Sequence, residues 1–118
     1  MTLDEFFSGR DLSRQIFDAL RSAIDDLGAS NLRVSKSQVA FRRRKSFAWA
    51  WIPGMYLRGD RAPLVLTLSL RRKASSQRWK QVVEPSKGRY THHLELRSPD
   101  DIDDEVRAWL HEAWSEAG

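Results

Sequence analysis

Apolar residues recur along this chain with two different periods. Leu12, Ile16, Leu20, Ile24 and Leu27, with Phe17 and Ala23 beside them, are three or four residues apart. That spacing gathers them into one stripe of an α-helix. Asp11 stands before the stripe as a cap, and Gly28 follows it, where a residue free to turn left-handed ends a helix. A second stripe, Ile102, Val106, Trp109, Leu110 and Ala113, occupies the last part of the chain. Ser98 caps it, Pro99 suits its first position, and Asp100 and Asp101 favour the positive end of its dipole. The spacing predicts helices over 12–27 and 99–116, preceded by a short helical turn in "TLDEFF".

Between the two helices the period falls to two. "LRVSK", "QVAFRRR", "SFAWAWI", "PLVLTLSLRR" and "RYTHHLELR" are rich in β-branched and aromatic residues. Leu64, Leu66, Leu68 and Leu70 alternate with Val65, Thr67, Ser69 and Arg71, as in a half-buried strand. Pro53-Gly54 and Gly59-Asp60 predict a loop over 53–63. The stretch 73–88 is ambiguous, with Lys80–Val83 fitting a strand and 84–88 a turn. The order is helix, about five strands, helix. Short connections favour a mostly antiparallel sheet, with the N- and C-terminal helices on one face. The expected fold class is α+β, in a single domain over 1–118.

One hairpin concentrates the chain's chemistry. In "AFRRRKSFAWAW" a turn at Arg43–Ser46 sets Arg42 opposite Phe47, Phe41 opposite Ala48 and Ala40 opposite Trp49. Val39, Phe41, Ala48, Ala50 and Ile52 then form an apolar face turned to the helices. Gln38, Arg42, Phe47, Trp49 and Trp51 form the other face. Val65, Thr67, Ser69, Arg71, His93, Glu95 and Arg97 join that outer face, and His92 points inward near an edge. Two readings of the tryptophans stand: an open stacking platform, or core rings in a shifted register. The segment 73–88, with Trp79, is the one element left to form a lid over them.

Charge sharpens the picture. The formal net charge is +4, but residues 33–89 hold fifteen Lys or Arg against two acids, whereas both flanks are net acidic. A basic middle attracts anions. With no cysteine, disulfides and thiolate chemistry are excluded. The N-terminus has no long apolar run, which argues against a signal peptide or membrane span and for the cytoplasm. The adjacent pair His92 and His93 points to opposite faces of a strand, and "PDDIDDE" lacks the geometry of a calcium loop. No metal, cofactor or catalytic set is therefore assigned.

Rings for stacking and cations for phosphate point to a non-enzymatic binding module for an anionic ligand or nucleic acid. The candidate ligand-binding residues are Lys36, Arg42, Trp49, Trp51, Arg71 and His92. The alternatives are a protein-interaction or homodimerisation module through the aromatic face, and a small phosphodiester-cleaving or other hydrolytic enzyme using Arg42, Lys45 and His93.

"KSQVAFRRRKSFAWAWIP" and "RYTHHLELRSPDDIDDEVRAWLHEAW" resemble an uncharacterised bacterial family, numbered 5655 among the domains of unknown function. The resemblance runs from about Ile16 to the C-terminus. It is carried by Lys36, "FRRRKSFA" at 41–48, "THH" at 91–93 and the ending with Ser98, Asp103, Glu105, Trp109 and Leu110. It implies a module used in several settings, without an assigned activity. It also favours His92 over His93, with His92 lining a pocket beside Lys36 and the Arg42 strand. More distantly, the helix–sheet–helix order is similar to the frataxin-like iron chaperones, although no iron ligand set is present.

Overall fold

A computed structural model describes residues 1–56 and 58–118. A single turn, α1 (Leu3–Phe6), leads into α2 (Asp11–Asp25). Six strands follow: β1 (Asn31–Val34), β2 (Val39–Arg42), β3 (Ser46–Trp51), β4 (Leu64–Leu70), β5 (Gln81–Ser86) and β6 (Arg89–Leu96). The last helix is α3 (Asp104–Glu116). The strands form one antiparallel sheet in the order β1-β2-β3-β4-β6-β5. The fold is α+β, as the two periods imply, with one strand more than expected.

Both long helices lie on one face of the sheet. Ile16, Phe17, Leu20, Ala23 and Ile24 of α2 and Val106, Trp109, Leu110 and Ala113 of α3 share a core with Val39, Phe41, Ala48, Ala50, the four leucines of β4, Leu94 and Leu96. Burial of each large aliphatic side chain contributes about 1.5–3 kcal/mol. The alternation in β4 is what aims its leucines at the helices.

The helix ends differ from the sequence expectation. Asp11 is already helical, and Arg10 occupies the cap position without a side-chain bond. Leu12 is 46% exposed; the buried face begins at Ser13, whose hydroxyl donates to the Pro63 carbonyl at 2.7 Å. At the other end, the single helix expected over 99–116 is broken. Ser98 caps only a 3-10 turn, Pro99–Asp101, and α3 restarts under its own cap, Asp103, whose carboxylate accepts from Val106 N–H at 3.0 Å.

The loop expected over 53–63 contains a 3-10 turn, Pro53–Met55, and includes Leu57, which lies outside the described residues. The ambiguous 73–88 stretch divides. Residues 81–86 form the edge strand β5, where Pro85 is tolerated beside a register shift. Residues 73–80 cross the helix side of the sheet and form no lid. There Trp79 packs on His92 and Trp109, with ring centroids 4.7 and 4.2 Å away. Arg78 ties this strap to α3 through Asp103 and Glu105 at 3.0 and 2.9 Å.

Candidate functional site

The β2–β3 hairpin pairs Val39 with Ala50, Ala40 with Trp49 and Phe41 with Ala48, as the sequence predicts, but Arg42 pairs with Ser46. Phe47 is thus the extra residue of a bulge. Its ring is 1% exposed and belongs to the core, not to the outer face where strict alternation placed it.

The hairpin tip explains part of the cationic run. A helix ends with carbonyls that have no partner inside it. The N–H groups of Arg44 and Lys45 donate to the Ala117 carbonyl at 2.9 and 3.1 Å. Arg43 donates to the Trp114 carbonyl at 2.9 Å, and its guanidinium lies 3.6 Å from the Trp114 ring centroid. Cations at this end also meet the negative pole of the helix dipole. Arg43 is therefore a structural clamp, whereas the side chains of Arg42, Arg44 and Lys45 remain exposed.

On the face away from the helices, the side chains form rows across the strands. One row runs Ala40, Trp49, Thr67, His93, Gln81. Trp49 and Trp51 are half-buried. Trp51 Nε1–H donates to Thr67 Oγ1 at 3.0 Å, and Thr67 Oγ1 lies 2.8 Å from His93 Nδ1. The buried hydroxyl proton needs an acceptor, and of its two partners only the imidazole can accept. His93 thus carries its proton on Nε2. Burial pushes its pKa down, favouring the neutral ring. Trp49, Trp51, Thr67, Thr91 and His93, with Ser37, Gln38 and Tyr56, line a groove of about 510 Å³.

Along the strands from this groove, the face becomes basic. Arg42, Lys45, Arg71, Lys87 and Arg89 line a second cavity of about 690 Å³ with Trp49, Ser69 and a single carboxylate, Glu116. Glu116 is engaged with Arg71, whose backbone N–H donates to its Oε1 at 2.9 Å and whose guanidinium donates to its carbonyl at 3.2 Å. Among the described residues, Arg42, Lys45, Lys87 and Arg89 have no carboxylate within salt-bridge distance. On the helix side, by contrast, Arg72 is paired with Glu112 at 2.7 Å and Arg78 with two acids.

Arg42, Trp49 and Arg71 thus meet in the basic cavity, and Trp49 and Trp51 in the groove. Lys36 and His92 stand apart. Lys36 is exposed in the β1–β2 turn and lines neither cavity. His92 is fully buried on the helix side, separated from β2 by β3 and β4. Its Nε2 accepts from Ala74 N–H at 3.0 Å, so its proton sits on Nδ1, 3.2 Å from the Tyr90 carbonyl. Burial holds its pKa below the usual histidine value. The pocket imagined between His92, Lys36 and Arg42 does not form.

Lys87 and Arg89 had no place in the sequence-based site. They reach it because β6, not β5, pairs with β4, which sets Tyr90 opposite Leu70 and brings Arg89 near Arg71. The readable signal was the turn at Lys87-Gly88, where Gly88 has φ +76°. Among the described residues no three His, Asp or Glu side chains converge to hold a metal, and no helix is long and apolar enough to cross a membrane.

No curated protein and no solved structure matches the chain. One family model does, over residues 3–117, nearly the whole length. Its description is Domain of unknown function (DUF5655), and the chain belongs to that family.

Proposed function

We propose that this chain is a binding module for a phosphate-bearing anion, held in the basic cavity at one end of the outer sheet face. The observation that carries this reading is the convergence of four cations without carboxylate partners on one cavity with an aromatic wall, Trp49. Like charges gathered on one cavity repel one another, and an anion gained there relieves that repulsion. Arg42 and Arg89 offer forked donors to phosphate oxygens, and Lys45 and Lys87 offer point charges.

The arrangement favours binding over turnover. His93 is four residues along β6 from Arg89, about 13 Å between backbones. The cations that would hold the phosphate and the imidazole that could move a proton line different cavities, whereas general acid–base chemistry needs them at one reacting group.

The test is a titration of labelled polyanions at several salt concentrations. Binding should weaken steeply with salt, with a slope set by the number of phosphates neutralised. Arg42→Ala combined with Arg89→Ala should lower both affinity and slope. Salt-independent binding, or none to any polyanion at low salt, contradicts the proposal.

A further inference from the structure

We infer that the groove beside the basic cavity is a nucleobase pocket, so that the ligand is single-stranded nucleic acid; this rests on the basic-cavity reading. Trp49 is a wall of both cavities. A ligand that fills the two together carries a flat ring on one side of Trp49 and phosphate on the other.

The groove is built for a neutral, planar, polar-edged group. Its volume of about 510 Å³ falls in the ordinary range of small-ligand clefts. No lining side chain is charged while His93 is neutral. Trp51 cannot swing freely, because its only donor is spent on Thr67, and it meets His93 edge-on at 90° with centroids 6.3 Å apart. Tyr56, 55% exposed, donates to the Ser37 carbonyl at 3.2 Å and stands as the outer wall. The groups left for a base edge are the Gln38 amide, the Thr91 hydroxyl and His93 Nε2–H. These serve as donors and acceptors without selecting one base strongly.

The gradient along the strands gives the ligand a direction. The groove end is aromatic and uncharged, and the opposite end, two rows or about 13 Å away, is cationic. A duplex cannot use the groove, because its bases are stacked and paired inside it. An unpaired strand can lay bases on Trp49 and Trp51 and phosphates among Arg42, Lys45, Lys87 and Arg89.

The test compares four labelled probes on the full chain by fluorescence anisotropy: an oligothymidylate of about ten nucleotides, an abasic oligomer of equal length, a duplex, and inorganic polyphosphate. The oligothymidylate should bind about tenfold or more tightly than the abasic strand, and more tightly than the duplex. Trp51→Ala should move the oligothymidylate well toward the abasic level and leave polyphosphate unchanged. Tyr56→Ala, which removes an exposed ring, should show the same effect in smaller measure if Trp51→Ala fails to fold. Equal affinity for abasic and base-bearing strands overturns the base pocket while sparing the basic-cavity reading. So does a duplex that binds as well as the single strand, or self-association that Trp51→Ala abolishes. Failure of all four probes at low salt removes both readings.

Discussion

His92 offers the sharpest test of how the strap over residues 73–80 is held. Replacing it with Leu keeps the volume close but removes an acceptor and a donor. Ala74 is buried, so its N–H, now 3.0 Å from Nε2, loses its partner without gaining water. An unsatisfied buried donor costs about 1–3 kcal/mol, and the lost bond to the Tyr90 carbonyl about 1 kcal/mol more. The expected destabilisation is about 2–4 kcal/mol. His92→Gln, which keeps an acceptor, should recover part of it.

The same contact predicts a pH dependence. The folded pKa of His92 is lowered, so below about pH 6.5 the unfolded chain binds a proton that the folded chain resists. Stability should therefore fall as pH drops through that value and level off below the folded pKa. The slope per histidine is at most about 1.4 kcal/mol per pH unit. Burial drives this shift, with a smaller push from Arg72, and the Tyr90 and Leu68 carbonyls and Glu112 oppose it. His93 adds a share of the same sign. Urea unfolding of wild type and His92→Leu between about pH 7.5 and about pH 5.5 avoids the main carboxylate range. The wild type should show the steeper loss. A cost below about 0.5 kcal/mol, or equal slopes in the two proteins, would refute the reasoning.

Three further outcomes follow from particular contacts. Arg43→Ala should cost about 1–2 kcal/mol by chemical denaturation, because it removes the Trp114 hydrogen bond and the guanidinium–indole contact, whereas Arg44→Ala should cost little, since only its backbone holds the helix end. Trp49→Ala should cost about 1–2 kcal/mol, below the ~3–5 kcal/mol of a core tryptophan, because the ring is half-buried. Gly28→Ala should lower the melting temperature with a cost above about 1 kcal/mol, since Gly28 has φ +142° and a Cβ there would lie 2.7 Å from the Trp114 ring.

Much of the fold is legible in the chain because its periods are clean. The β4 leucines, the two helical stripes and the large–small pairs Phe41–Ala48 and Trp49–Ala40 all follow from short-range pattern, and the structure keeps them. Three features depend on distant partners. Phe47 leaves the alternation because the hairpin tip is drawn onto the end of α3, and Ala117 is far from Lys45 in sequence. Two capping residues, Ser98 and Asp103, compete in the same short stretch, and only packing selects the second for the true helix. The order β4-β6-β5 cannot be read from short-range pattern, and it alone joins Lys87 and Arg89 to the site. His92 points inward as expected but lines no cleft with Lys36, because an inward-pointing histidine reads the same whether it lines a cleft or bonds a buried amide.

The central claim is that one patch, running from Trp51 through Trp49 to Arg89, is the binding surface. Two-dimensional NMR of the labelled chain, titrated with an oligothymidylate at low salt, tests it most directly. The indole N–H signals of Trp49 and Trp51 and the backbone amides of Ser69, Arg71 and residues 87–89 should shift together, saturating at one concentration. The signals of α2 and of the Trp79–Trp109 contact should stay in place. Shifts confined to the helix side, or no shifts on the tryptophan face, would contradict the account.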